Sequence, residues 1–370
     1  MKVQFSYLDS KFKGVMDPGH PIYEDLKVLM DTGDFTLGKA VREFEEKVEE
    51  KLNVRHAIGV ANGTDALRIA LRLAGVGPGD EILTAANTFI ASAGCADELF
   101  AKPRFVDMAD NYVLDPSKLE EAITDKTKAI VPVHFTGEPC DMDPILEIAN
   151  KYGIPVIEDA CQALMAEYRG KYVGTLGLAG AVSLHPLKVL NGTGDGGLIL
   201  TNNDAFAGKI RNYRNHGMVD RNNISNYGCN SRLDTIQAVF LNHLIQHTTD
   251  WTEKRRANAK YYDEGLLQIS GVSLPVRREH QKSCYHLYMM KVSPSRRDQL
   301  VQFLNINDIE ARVHYPVPLQ GALKLDGLTK EHFPEAYSQS ERIVTLPVHE
   351  HLTKEQLDFV MSKVKQFMEG

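Results

Sequence analysis

Short apolar runs alternate with amphipathic stretches between residues 54 and 203. Seven runs are mostly apolar and rich in β-branched residues, as in strands buried on both faces of a sheet: HAIGVA, EILTAA, PRFVDM, KAIVPVHF, IPVIEDA, AGAVSLH and GLILTNN. Between the earlier runs lie segments with helical spacing and Gly or Pro stops: DALRIALRLAG, FIASAGCADELF, DPSKLEEAI and MDPILEIANKYG. This alternation predicts repeated βα units around a mostly parallel sheet of seven strands, sandwiched by helices.

The pattern changes on both sides of this region. Upstream, HPIYEDLKVLMDTGDFTLGKAVREFEEKVEEKLN predicts a helical N-terminal arm. Downstream, SRLDTIQAVFLNHLIQHTTDWTEKRRANAKYYDEGLLQ predicts a long helical stretch, and CYHLYMMKV and IEARVHYPV predict strands that flank the helix RRDQLVQFLNIND. The terminal TKEQLDFVMSKVKQFMEG is amphipathic. We therefore predict an α/β fold with the arm and a large domain over residues 1–240 and a smaller α+β domain over residues 241–370.

Composition narrows the classes of partner. The 370 residues are 43% hydrophobic and 25% charged, and their net charge of -7 gives no electrostatic footprint for nucleic acid or an anionic membrane. The N-terminal MKVQFSYLDSKFKG lacks the apolar core of a signal peptide, and no run of 18 apolar residues occurs, so we expect a cytoplasmic protein. The 5 cysteines lack paired C-x-x-C spacing, which predicts free thiols. No histidine spacing suggests a metal site.

The segment GTGDGG matches the dinucleotide-binding pattern G-x-G-x-x-G through Gly192, Gly194 and Gly197. That fingerprint must follow a strand and open a helix. Here the apolar run LILTNN follows directly and predicts a strand, so we do not expect nicotinamide redox chemistry.

A first candidate site lies in GVANGTDALRIAL, where Asn62, Gly63 and Thr64 stand between a strand and a helix. Free backbone N–H groups at a helix N-terminus, with a hydroxyl and the helix dipole, form a phosphate seat. The alternative is a purely structural N-cap, which Asn62 or Thr64 would serve equally well.

Two further candidates follow later strands. Asp159 ends the run VIED, where an unpaired acid is costly unless it is functional, and Gln162 comes three residues later. Lys188 follows the run AGAVSLH, with Ser183 five residues earlier. A lysine amine whose pKa is lowered by burial can bond covalently to an aldehyde. The alternative for Asp159 is a carboxylate that caps the next turn, and the alternative for Lys188 is a surface lysine. Taken together, however, a phosphate site, an acid and a lysine amine are the groups that bind pyridoxal 5'-phosphate.

The chain resembles the DegT/DnrJ/EryC1/StrS family of pyridoxal-phosphate sugar aminotransferases, which have the aspartate-aminotransferase fold (fold type I). The resemblance covers nearly the whole chain and rests on TGDFTLGKAVREFEE, NGTDALRIAL, DEILTAANTFIASA, PVHFTGEPCDMDPI, IPVIEDACQA, SLHPLKVLNGTGDGG, RNHGM, NSRLDTIQA, VHYPVPL and TLPVHEHLT. It departs from the family after Gln162, where the sequence is ALMA, and at Cys229, where an aromatic residue is common.

The resemblance implies catalytic and cofactor roles. Lys188 would hold pyridoxal phosphate as an internal aldimine and act as the general acid and base. Asp159 would keep the pyridine nitrogen protonated, and Gln162 would bind the phenolic oxygen. Phe89 would stack on the ring face opposite Lys188.

The resemblance also implies a shared phosphate site. Gly63, Thr64 and Ser183 would bind the phosphate in one subunit, and Asn230 of the neighbouring subunit would complete it. The active site would then exist only in a homodimer.

The implied reaction transfers an amino group, with glutamate as the expected donor, to a keto group of a nucleotide-linked ketosugar. Arg232, His185 and Tyr315 are candidate substrate contacts, although Arg232 is equally interpretable as an interface ion pair and His185 as a structural residue. A cyclitol ketone or keto sugar phosphate, a pyridoxal-dependent dehydration and a regulatory scaffold remain alternatives. Lys188 argues against the dehydratase branch, which carries histidine at that position.

Overall fold

The computed structural model describes residues 1–325 and 327–370. Its strands are β1 His56–Val60, β2 Glu81–Ala85, β3 Lys102–Val106, β4 Thr127–Val131, β5 Ile157–Asp159, β6 Glu167–Tyr168, β7 Lys171–Tyr172, β8 Ala179–Ser183, β9 Gly197–Thr201, β10 Met218–Asp220, β11 Asn223–Ile224, β12 Gln281–Lys282, β13 Tyr288–Lys291 and β14 Ile343–Leu346. Each of the seven apolar runs contains a strand, namely β1 to β5, β8 and β9.

The helices alternate with these strands in the first half of the chain and dominate the second. They are α1 Leu8–Phe12, α2 Pro21–Thr32, α3 Lys39–Leu52, α4 Gly63–Leu73, α5 Ala91–Asp97, α6 Leu119–Ala122, α7 Met142–Tyr152, α8 Asp204–Tyr213, α9 Thr235–Leu244, α10 Thr248–Leu266, α11 Pro294–Ile306, α12 Leu319–Ala322, α13 Pro334–Ser340 and α14 Lys354–Glu369. No helix within the described ranges is long and apolar enough to cross a membrane.

Two sheets lie edge to edge in the α/β part of the molecule. One has the strand order β1-β9-β8-β5 and the other the order β3-β2-β4. Isolated parallel bridges, Ile130 with Val156 and Val133 with Asp159, connect them. Only β9 runs antiparallel to its neighbours in these sheets. The carboxyl ends of β4, β5 and β8 therefore lie along one edge, where ligands of such folds bind.

Both faces of these sheets are covered, which explains why the strands are apolar without alternation. In β9, Leu198 and Leu200 belong to one hydrophobic core and Ile199 belongs to the other. Successive side chains of a strand point to opposite faces. A strand buried on both faces needs apolar residues at every position.

The C-terminal part is built on an antiparallel pair, β13 and β14, against which α10, α11 and α14 form a separate core. The predicted long helical stretch is divided, since a 3₁₀ turn over Ile245–His247 separates α9 from α10. The segment IEARVHYPV does not form the predicted strand. It makes isolated bridges at Ile309 and Arg312, and Pro316 near its end has no backbone donor for a ladder.

Candidate functional site

A cleft with a volume of about 400 Å³ opens at the carboxyl ends of β5 and β8 and is closed on its other side by the C-terminal part. It brings together most of the residues selected from the sequence. Those that line it are Gly63, Thr64, Phe89, Asp159, Gln162, Ser183, His185, Lys188 and Tyr315.

The floor of the cleft includes the N-terminus of α4. The side chain of Asn62 accepts a 2.8 Å hydrogen bond from the Asp65 amide, so Asn62 is the N-cap. The amides of Gly63 and Thr64 precede the first intrahelical bonds and remain available to an anion. A Cβ on Gly63 would lie 2.8 Å from Cys161 Sγ and 2.9 Å from Ser183 Cβ. Only glycine therefore allows the helix to approach Ser183 this closely.

Asp159 ends β5 with its carboxylate facing the cleft. Its Oδ2 accepts a 2.6 Å bond from the Ser92 hydroxyl, and its Oδ1 accepts a 3.1 Å bond from the Cys161 amide. The bond from the Cys161 amide is the turn-capping interaction that the sequence left open as an alternative for Asp159. Because the side chain also lines the cleft, the carboxylate is both fixed and accessible to a cationic or protonated ligand atom.

The adjacent acid, Glu158, has a different task. Its Oε1 accepts bonds from the amides of Leu176 and Gly177, and its Oε2 accepts one from Gly174, each at 2.7 Å. His134 Nδ1 accepts from the Cys140 amide, so its Nε2 carries the hydrogen and donates to Glu158 Oε2 at 3.0 Å. Glu158 is fully buried and paired at both oxygens. It fastens the segment between β7 and β8 to the end of β5 and does not line the cleft.

Gln162 is oriented by the backbone. The Thr136 amide donates to Gln162 Oε1 at 2.8 Å. Since the carbonyl oxygen is engaged there, the amide nitrogen is the end of the side chain left to donate a hydrogen bond within the cleft. Gln162 is suited to bind an oxygen acceptor of a ligand.

Lys188 lies on the loop after β8, where its amide donates to the His185 carbonyl at 2.8 Å. Its side chain lines the cleft. Burial lowers the pKa of the Lys188 amine below its ordinary value, although Cys161 and Asp159 act in the opposite direction. A lowered pKa increases the fraction of neutral, nucleophilic amine at neutral pH.

Aromatic rings form one wall of the cleft. Phe89 is 51% exposed, with its ring centroid 6.4 Å from that of Tyr315. Tyr315 also packs against Phe135 with a centroid separation of 5.8 Å. Burial raises the pKa of Tyr315 to about 12, so it remains a neutral hydroxyl at physiological pH. An exposed ring beside a phenol is suited to a flat heterocycle with polar substituents.

The histidines of the cleft are neutral at physiological pH. Burial, together with Lys188, lowers the pKa of His185. Burial, Arg312 and Lys188 lower the pKa of His314 to about 4. Neutral imidazoles both donate and accept hydrogen bonds, so they are suited to hydroxyl and keto groups of a ligand.

Two predicted residues lie away from this cleft within the single chain. Asn230 is exposed and forms a bridge with Asn215, and Arg232 Nη1 donates to Asn215 Oδ1 at 3.2 Å. Neither lines the cleft. Their prediction as cofactor and substrate contacts therefore depends on a second subunit.

Among the lining residues that sequence reasoning overlooked are Phe5, His286 and Arg312. Arg312 stands two positions before His314, and period-2 spacing in an extended segment was a usable signal. His286 and Phe5 carried no such signal, because the first belongs to an apolar run and the second lies far from every motif.

The family model for the DegT/DnrJ/EryC1/StrS aminotransferase family matches residues 19–365. The chain is 40% identical to a pleiotropic regulatory protein of Geobacillus stearothermophilus over 92% of this chain and 93% of that protein. It is 35% identical to the dTDP-3-amino-3,4,6-trideoxy-alpha-D-glucose transaminase of Streptomyces venezuelae over 94% of each chain.

A solved structure agrees with this result. The structure of S. venezuelae DesV in complex with a ketimine intermediate matches with a TM-score of 0.94 and 34% identity, over 100% of this chain and 99% of that one. The fold is therefore that of known aminotransferases.

Proposed function

The chain belongs to the DegT/DnrJ/EryC1/StrS aminotransferase family, and from this we propose that it transfers an amino group from L-glutamate to the keto group of a nucleotide-linked sugar. Glutamate would become 2-oxoglutarate, and the ketosugar would become an aminosugar. The observation that carries the proposal is the convergence of Lys188, Asp159 and the N-terminus of α4 in one cleft.

The residues of the cleft fit pyridoxal phosphate. The amides of Gly63 and Thr64 and the Ser183 hydroxyl suit its phosphate, and the Asp159 carboxylate suits a protonated ring nitrogen. The amine of Lys188 suits its aldehyde, to which we propose it links covalently. When bound, this cofactor supplies an electron sink for carbanion chemistry.

The side chains divide the remaining work. Asp159, fixed by Ser92, keeps the ring nitrogen protonated by electrostatic attraction. The Gln162 amide would donate to the phenolic oxygen, and Phe89 would cover the ring face opposite Lys188.

Lys188 is also the proposed acid and base. Its amine takes the proton from the α-carbon of the amino donor and returns a proton to the product carbon. Burial lowers the pKa of this amine, which increases the fraction of neutral amine that can accept a proton. Proton transfer by a positioned group contributes about 100- to 10,000-fold to the rate.

A homodimer with shared active sites explains the positions of Asn230 and Arg232. We propose that Asn230 completes the phosphate site of the neighbouring subunit and that Arg232 binds the carboxylate of the donor there, as a guanidinium suits a carboxylate. The test mixes Lys188→Ala with Asn230→Ala chains. In a shared site the mixed dimer has one intact centre and regains activity, whereas unshared sites stay inactive.

Two observations favour a nucleotide-linked ketosugar as acceptor. Relatives named for dTDP-linked and UDP-linked sugar substrates match over more than 90% of this chain. The neutral His185, His314 and Tyr315 suit sugar hydroxyls, and Arg312 places a half-exposed cation at the same cleft. The Geobacillus relative is named a pleiotropic regulatory protein, so a regulatory role is the second candidate function.

The deciding experiment follows the visible absorption of the purified protein with pyridoxal phosphate. We expect a yellow band that glutamate abolishes and that one member of a panel of nucleotide ketosugars restores. Lys188→Ala should lack the band. If glutamate leaves the wild-type band unchanged, the amino donor is wrong. If ketodeoxysugar forms without consumption of glutamate, the reaction is dehydration.

A further inference from the structure

The N-terminal segment, residues 3–11, connects the C-terminal part of the molecule to the loop that carries Lys188. Val3 forms a parallel bridge with Ile309, and the Phe5 amide donates to Glu310 Oε2 at 2.8 Å. Further along, the side chains of Tyr7 and Lys11 reach residues 188–191. The segment therefore contacts the loop that carries Lys188.

The Tyr7 hydroxyl lies between a guanidinium and the backbone of Lys188. Arg255 Nη2 donates to the Tyr7 oxygen at 2.8 Å. Arginine has no acceptor, so this bond leaves the Tyr7 hydrogen free to point elsewhere. The Tyr7 hydroxyl donates this hydrogen to the Lys188 carbonyl, at an oxygen–oxygen distance of 3.3 Å.

Arg255 is itself held in place. Its Nε donates to Glu350 Oε2 at 2.7 Å and its Nη1 donates to the Tyr285 carbonyl at 3.1 Å. The side chains of Arg255 and Glu350 are 2% and 1% exposed. Because the buried guanidinium of Arg255 is hydrogen-bonded to Glu350 and Tyr285, it keeps one orientation. The Tyr7 oxygen therefore accepts from a fixed donor.

Lys11 holds the next part of the loop. Its amine nitrogen donates to the Val189 carbonyl at 3.4 Å and to Asn191 Oδ1. The same nitrogen lies 3.7 Å from the centroid of the Trp251 ring. Tyr7 and Lys11 together engage three residues in the stretch 188–191.

We propose that Tyr7 and Lys11 are positioning residues for Lys188. They hold the backbone of residues 188–191, so that the amine moves only through its own side-chain torsions between the site of the cofactor aldehyde and the donor carbon. The inference rests on the proposed function, because it requires Lys188 to be the reacting amine. Neither Tyr7 nor Lys11 lines the cleft, so each acts through the loop.

The test compares wild type with Tyr7→Phe, which keeps the ring and removes the hydroxyl. Tyr261→Phe is the matched control, since its hydroxyl bonds only to Asp358 on the surface. One readout uses the cofactor-free protein, namely the rate at which added pyridoxal phosphate bonds to Lys188, followed by absorbance. The other is the division of the effect between kcat and KM.

We expect Tyr7→Phe to slow both bond formation and kcat by about 5- to 10-fold, as for the loss of one hydrogen bond, with KM nearly unchanged. Tyr261→Phe should behave as wild type. Wild-type rates in Tyr7→Phe would overturn the proposal.

A second variant covers a failure of Tyr7→Phe to fold. Lys11→Met keeps the Tyr7–Arg255 pair and should slow the same two rates, and wild-type rates in Lys11→Met would then overturn the inference. Failure of the proposed function is distinguishable: a wild-type protein that forms no covalent bond would show that Lys188 is not the reacting amine, and a wild-type protein that forms the bond without amino transfer would show that the reaction is a different one.

Discussion

The Ser92 hydroxyl donates a 2.6 Å hydrogen bond to Oδ2 of Asp159, and both side chains are buried at the end of β5. A carboxylate held in this way keeps one orientation while it faces the cleft. This pair links α5 to the residue expected to bind the cofactor ring nitrogen.

Ser92→Ala should weaken cofactor binding about 5- to 20-fold, because a hydrogen bond to a charged acceptor contributes more than a neutral one. Fluorescence or absorbance titration of the cofactor-free variant measures the dissociation constant. Ser362→Ala, which removes a hydroxyl on the exposed side of α14, is the control. Equal affinity in Ser92→Ala and wild type would show that Asp159 does not need this partner.

Gly63→Ala should abolish high-affinity cofactor binding. The added Cβ would lie within 3 Å of Cys161 Sγ and Ser183 Cβ, so the N-terminus of α4 must move away from the phosphate seat. Titration with pyridoxal phosphate and with inorganic phosphate measures the loss. Gly208→Ala, at a helical position with no atom within 4 Å, should retain wild-type binding and gain slightly in stability.

Phe89→Ala should weaken cofactor binding about tenfold through lost stacking, with no change in melting temperature, because the ring is 51% exposed before a ligand binds. Phe100→Ala is the control, since Phe100 is 79% exposed and does not line the cleft. The dissociation constant and the melting curve of each variant provide the comparison. A lower melting temperature for Phe89→Ala without loss of affinity would assign the ring a packing role.

Glu158→Gln should lower the free energy of unfolding by about 2–4 kcal/mol, because an amide NH₂ would face backbone donors that now meet a carboxylate oxygen. Urea denaturation followed by circular dichroism measures the change. Glu147→Gln on the exposed side of α7 should be neutral. A neutral Glu158→Gln would mean that the segment between β7 and β8 does not depend on this carboxylate.

Lys11 should make stability depend on pH. Burial is the main cause that lowers the pKa of its amine from 10.5 to about 7. Between these values the unfolded chain binds the proton and the folded chain does not, so stability rises with pH by up to about 1.4 kcal/mol per unit. The difference in unfolding free energy between wild type and Lys11→Met, measured from pH 6 to pH 10, should show this slope. A pH-independent difference would mean that Lys11 stays protonated in the fold.

Much of the fold is local in origin, and that part was predictable. The seven strands were found from apolar runs because a strand buried on both faces needs apolar residues at every position. The helix at Gly63 was found from its N-cap and amphipathic spacing. The prediction of a strand over IEARVHYPV was wrong. The β-branched residues of this segment suggested a ladder, but the segment makes isolated bridges instead. The break between α9 and α10 was also missed, because the sequence there contains no clear helix-breaking residue.

The sequence by itself determined the family and the chemistry that Lys188, Asp159 and Gln162 can supply, because those depend on side-chain type at fixed positions beside strand ends. Only the tertiary structure decided which acid is free. Asp159 and Glu158 are adjacent in sequence, yet the strand turns one into the cleft and the other toward backbone donors. Only the fold brings Tyr7, Arg255 and Arg312 to the site, because contacts between residues far apart in the chain leave no local pattern to find.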